Sequence, residues 1–156
     1  VYKRILVAVD GSSTSGAALR EALALGREAG ARVRIVHVID SPYDYPDVMF
    51  GHVAGDLEEL QDAWQKAGQT VLDGALAAAR EVAFEAEGAL IETAGRRLPD
   101  AIVEEARRWA ADLIVVGTHG RRGLDRLLLG SVAEGVSRTS PASVLLVRGA
   151  GHGNRR

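Results

Sequence analysis

Short apolar runs rich in β-branched residues alternate along this chain with longer helical stretches, and that alternation limits the folds open to it more than any other feature. Lys3 to Asp10, Arg32 to Ile39, Gly88 to Ala94, Asp112 to Val116 and Ser143 to Val147 read as five strands. Between them lie Ala- and Leu-rich segments with helix signals. Ser15 to Ala29 ends at Gly30, which suits a C′ position. Asp56 opens a long helix with Glu59 in the acidic place of a capping box. Leu57, Leu60, Trp64, Ala67, Val71, Ala75, Ala78 and Val82 give it one apolar stripe, read as core. Pro99 sits in the first turn of a fourth-strand approach helix with Ile102, Val103, Ala106, Trp109 and Ala110 inward. A last helix runs from Gly130 or Ser131 to Thr139, stopped by Pro141. Strands with a helix in each connection form a mostly parallel sheet covered on both faces through right-handed crossovers. The 156 residues, 47 % apolar, suit one domain, residues 1–148, and the polar Gly149–Arg156 segment is expected to be a disordered tail.

Ligands of such sheets bind beyond the carboxyl ends of strands, where the strand order reverses. Two polar breaks fall at such ends, Asp10-Gly11 and Gly117-Thr118. The second opens a glycine series: Gly117, Gly120, then Gly130-Ser131 at the start of a helix. Glycines let a backbone approach a phosphate, and a helix start offers unpaired N–H groups and a positive dipole end. The segment from Asp40 to Gly55, with Pro42 and Pro46, reads as a long loop of the kind that walls or covers a site.

These residues resemble the universal stress protein family. The likeness rests on Val7-Ala-Val-Asp-Gly-Ser12, Val36-His-Val38, Asp112-Leu-Ile-Val-Val-Gly-Thr-His-Gly120, Gly123-Leu124, Leu128-Leu-Gly-Ser-Val132 and Pro141-Ala-Ser-Val-Leu-Leu-Val147. It spans about residues 2 to 148, and the spacing Gly, two residues, Gly, nine residues, Gly-Ser matches the family's ATP-binding branch without a gap. The resemblance implies an open five-stranded parallel sheet in the order 3-2-1-4-5 with helices on both faces, Rossmann-like and similar to the adenine-nucleotide alpha-hydrolases. It also implies the roles of residues. Asp10 and the Gly117 backbone hold a ribose, Ala8 and Val9 line the cleft, and the Val38 backbone reads an adenine edge. Gly120, Gly130, Ser131 and Val132 receive phosphates. A homodimer through Val144–Val147, packed antiparallel, is expected. One departure stands out: the family's Gly-x-Pro between the third strand and the next helix is here the longer Gly95-Arg-Arg-Leu-Pro99.

Several residues carry two readings. A carboxylate at position 10 suits ribose hydroxyls, which donate to it, and equally suits a helix cap. His119 inside the glycine loop either meets a phosphate or fills the loop. Arg121, Arg122 and Arg126 either reach phosphates or form a solvated face. Ser12 and Ser13 read as caps, with Ser12 also placed to approach a phosphate. His37 reads as a satisfied core or interface histidine, and His52 and His152 stand alone without metal-ligand spacing.

The functional expectation is an ATP-binding stress-response regulator. The nucleotide, with Mg2+ or Mn2+ held mostly by phosphate oxygens, orders the glycine loop, and a protein partner reads the altered surface. No catalytic residue is assigned. A slow ATPase is the enzymatic alternative, although the Walker pattern is absent. A nucleotide-free dimeric interaction module is the other. A net charge of −2 gives no pull toward nucleic acid, no apolar run approaches a membrane span, and the lack of cysteine fits a cytoplasmic location.

Overall fold

A computed structural model describes residues 1–51, 54–119 and 128–149. The strands are β1 (Arg4–Ala8), β2 (Arg32–Ile39), β3 (Glu87–Glu92), β4 (Leu113–Gly117) and β5 (Ser143–Val147). All pair in parallel in the order β3-β2-β1-β4-β5, so the order reverses between β1 and β4. Ile5, Leu6 and Val7 are each wholly buried. Successive side chains of a strand point to opposite faces, so an unbroken apolar run means that both faces are covered. Ile5 and Val7 join the core under α1 (Ser13–Ala29) and α3 (Ala54–Glu81). Leu6, Val36 and Ile114 join the core under α4 (Leu98–Trp109) and α5 (Ser131–Thr139).

The helix ends follow from local chemistry. Ser12 caps α1 by accepting the Ser15 N–H at 3.2 Å. Gly30 closes the helix at φ +61°, a left-handed conformation that costs glycine least, and Ala31 N–H then reaches Gly26 C=O at 2.8 Å. Pro99 lies in the first turn of α4.

Four expectations are corrected. Residues 40–55 are not simply a loop. Pro42–Asp44 forms a 3₁₀ turn capped by Ser41, and α2 (Pro46–Phe50) follows, because each proline starts a turn at a position that needs no N–H donor. Helix α3 begins at Ala54, so Asp56 stands in its first turn, where its charge meets the helix dipole, and not at the cap. Ala67 and Val82 of the stripe are exposed; Gly68, Leu72 and Ala79 take the buried line. Gly68 has the close contact because any side chain there would collide with β2: a Cβ would sit 2.3 Å from Ile39 Cγ2. Ala110 does not face inward but terminates α4 at φ +57°.

Candidate functional site

Where β1 and β4 part, a cavity of about 830 Å³ opens at the carboxyl ends of the strands. That volume suits a nucleotide-sized ligand. Ala8, Val9, Asp10, Val38, Gly117, His119, Gly130, Ser131 and Val132 all line it, so the structure brings together nine residues chosen from the sequence. Ser12 does not line it. Its hydroxyl is occupied as the cap of α1, and its N–H donates to Asp10 Oδ1 at 2.9 Å. Gly120, Gly123, Leu124, Arg121, Arg122, Arg126, His52 and His152 lie outside the described residues.

Asp10 ends the first strand's extension and turns the chain into α1. One carboxylate oxygen accepts from Ser12, and its own N–H donates to Ser15 Oγ at 3.2 Å. Asp10 is thus not the cap of α1, which is Ser12; it organises the turn before that helix and lines the cavity.

The start of α5 is fixed from the end of β4. Thr118 N–H donates to Val147 C=O at 2.9 Å, and Thr118 C=O accepts the Gly130 N–H at 2.7 Å. A Cβ on Gly130 would lie 2.9 Å from that same carbonyl oxygen, so only glycine allows this approach. Gly130 thus spends its own amide inside the protein. The first intrahelical bond recorded after it is Glu134 N–H to Gly130 C=O. The amides of Ser131, Val132 and Ala133 precede it without intrahelical partners and form the positive end of the helix beside the cavity. These three amides are the donors an anion would meet.

Val38 presents a third kind of polar group. The registered β1–β2 pairs end at Ala8 and Val36, after which Val9 N–H donates to Val36 C=O at 2.9 Å. In a parallel ladder alternate residues turn their N–H and C=O to the same neighbour. Val38 therefore turns its backbone edge toward β1, beyond the point where β1 has left the ladder. The Val9 carbonyl, which would continue the ladder, accepts instead from His37 Nδ1 at 2.7 Å. A carbonyl only accepts, so in the neutral imidazole Nδ1 holds the proton and Nε2 is an acceptor. His37 is satisfied as expected from the sequence, yet it also lines the cavity. His119 Nδ1 lies 3.0 Å from Thr118 Oγ1.

Apolar walls complete the site. Trp64, Ala67 and Val71 of α3 stand on one side of the sheet edge, and Leu98, Ile102 and Val132 come from the opposite layer. The long link before α4 is folded back on itself: Arg96 Nε donates to Thr93 C=O at 2.9 Å, and Leu98 is left at the rim. The sequence concealed Trp64 and Ala67 as wall residues because apolar spacing reads alike for a core stripe and a cavity lining. Among the described residues no group of histidines and acidic side chains has the arrangement of a metal site, and no helix is long and apolar enough to cross a membrane.

Comparison with known proteins places this geometry in context. The model of the universal stress protein family matches residues 1–148. Universal stress protein MJ0531 of Methanocaldococcus jannaschii is 35 % identical over 150 residues, 95 % of this chain and 83 % of that protein. A crystal structure of a universal stress protein in complex with cAMP is 28 % identical, with a TM-score of 0.69, covering 96 % of this chain and 99 % of the other. The universal stress protein from Archaeoglobus fulgidus in complex with dAMP is 25 % identical, with a TM-score of 0.63, covering 94 % and 98 %.

Proposed function

The chain belongs to the universal stress protein family, and from that premise we propose that its cavity binds an adenine nucleotide, with ATP as the working ligand. One observation carries the reading. A carboxylate at Asp10, an unladdered backbone edge at Val38 and the amide-bearing start of α5 converge on one cavity of nucleotide size. Each has a natural counterpart in a nucleotide. Ribose hydroxyls donate to a carboxylate, the adenine edge pairs a donor with an acceptor, and phosphate oxygens accept from helix amides. The relatives solved in complex with cAMP and dAMP support the adenine base.

With a triphosphate, a Mg2+ or Mn2+ ion accompanies the ligand on phosphate oxygens and water, since protein ligands for it are not gathered among the described residues. Occupancy biases the conformation around α5, and a protein partner reads the difference. A second copy pairs along β5, the strand that ends the sheet, with Leu146 partly exposed on it. The cysteine-free composition suits work in the reducing cytoplasm.

Thermal melts test the reading. At a hundred times Kd a ligand stabilises by about 2.7 kcal/mol, which raises Tm by several degrees in a chain of this size. ATP with magnesium at millimolar concentration produces that rise and GTP a smaller one. No rise with ATP or AMP overturns the proposal.

A further inference from the structure

We infer that Trp64 is the stacking wall of the base subsite, so that this chain holds its nucleotide by the face of the base as well as by its edge. The inference rests on the nucleotide reading of the cavity. Helix α3 is pressed against β2 at Gly68, where a Cβ would lie 2.3 Å from Ile39 Cγ2 and 3.3 Å from His37 Cδ2. Trp64 is one turn nearer the helix start, about 6 Å further along the axis. This carries its indole past the end of β2 to the mouth of the cavity, which it lines. It is half-buried there and not enclosed.

The ring is also held. The Tyr45 ring meets it edge-on, with centroids 6.1 Å apart and planes at 79°. Tyr45 Oη donates to Asp40 Oδ2 at 2.8 Å, and Asp40 itself lines the cavity. The segment from Asp40 to Tyr45 thus braces the indole through the Tyr45 ring. Across the opening stand Leu98, Ile102 and Val132 from the other layer of the fold. A lining that joins one aromatic side chain, aliphatic side chains and the Val38 edge suits a ring that bonds only at its rim. A purine is such a ring, and its faces gain most from an aromatic surface. An isolated phosphate gains nothing from either wall.

The other tryptophan, Trp109, is buried between Arg4, Arg32 and Arg34, near the starts of β1 and β2 and away from the cavity lining. A change of indole emission on adding ligand is therefore assigned by replacing Trp64. The full chain is titrated with AMP by calorimetry and by fluorescence, in the native sequence and in Trp64→Phe, Trp64→Leu and Trp64→Ala. AMP is expected to change the emission of the native protein, and Trp64→Phe abolishes that change while keeping affinity within about threefold. Trp64→Leu and Trp64→Ala each weaken AMP by about tenfold or more, with the Tm of the free protein little moved. If the native chain binds AMP and Trp64→Leu or Trp64→Ala binds it as well as Trp64→Phe, the stacking wall is overturned while the nucleotide site stands. Where the native chain binds ATP and not AMP the same comparison is read with ATP, and if it binds neither, both fall.

Discussion

Gly130 and Asp10 serve the same cavity by different means. Gly130 has φ −60°, open to any residue, so its requirement is space and not backbone freedom. A side chain there must push Thr118 C=O away and with it the start of α5. Gly130→Val is expected to cost about 1–3 kcal/mol through overpacking and to abolish the nucleotide-dependent rise in Tm, both read from melts with and without ATP. Asp10 allows its two roles to be separated. Asp10→Asn keeps an oxygen for the Ser12 N–H but loses the charge. The free protein should melt nearly as before, while calorimetry shows AMP weakened by about ten- to a hundredfold, the worth of a hydrogen bond to a charged group. Asp10→Ala should lose the ligand to the same degree and also lower the Tm of the free protein, because the Ser12 amide loses its acceptor.

At the scale of elements, two opposing effects meet at Gly68. An alanine in a helix interior normally stabilises by about 1 kcal/mol over glycine. Here the added methyl would meet Ile39 at 2.3 Å and Leu90 at 3.2 Å, and overpacking of this kind costs about 1–3 kcal/mol. Gly68→Ala is therefore expected to lower Tm by a few degrees in spite of its better helix propensity, and Gly68→Val by more. This position also marks what the sequence withheld. Strands β1 and β4 were legible because burial on both faces leaves an unbroken apolar signature, and β2 because β-branched residues recur between its polar ones. The caps at Ser12 and Gly30 were legible because their chemistry is local. The buried line of α3 was not, since its closest contact is made by a glycine that no apolar count includes. Ala110 misled for the opposite reason: an apolar residue took the left-handed helix end usually given to glycine. Of the site, Asp10 and Gly130-Ser131 could be read from type and spacing. The office of His37, which takes the Val9 carbonyl beyond the end of the β1–β2 ladder, depends on where two strands part company.

Across the whole molecule, charge gathers at the opposite end of the sheet. Arg34 of β2 donates to Glu87 of β3 and to Glu105 of α4, each at 2.7 Å, and Arg32 also pairs with Glu87. Hydrogen bonding from Arg34 outweighs burial and, with Arg32, holds the Glu87 carboxyl below its ordinary value. Burial opposes the charge on Arg34, but Glu87 and Glu105 together keep that guanidinium above its usual value. A carboxylate depressed in the folded state stabilises at pH above its unfolded value and loses that contribution as pH falls through the folded one. Glu87→Gln should therefore melt lower than the native chain at pH 7, by one or two degrees, on the order expected for a partly exposed pair worth under about 1 kcal/mol. The gap should narrow as melts are taken at pH values below about 4.

The reversal of strand order has a mechanical meaning. Three registered residue pairs join β1 to β4, fewer than join any other neighbouring strands, at the seam between one block of three strands and another of two. A molecule gripped by Asp10 on the larger block and by the first amides of α5 on the smaller one acts as a bolt across that seam. Filling the cavity should slow amide hydrogen exchange in both blocks, β4 and α5 as much as β1. A ligand retained by one block alone would protect only its own side.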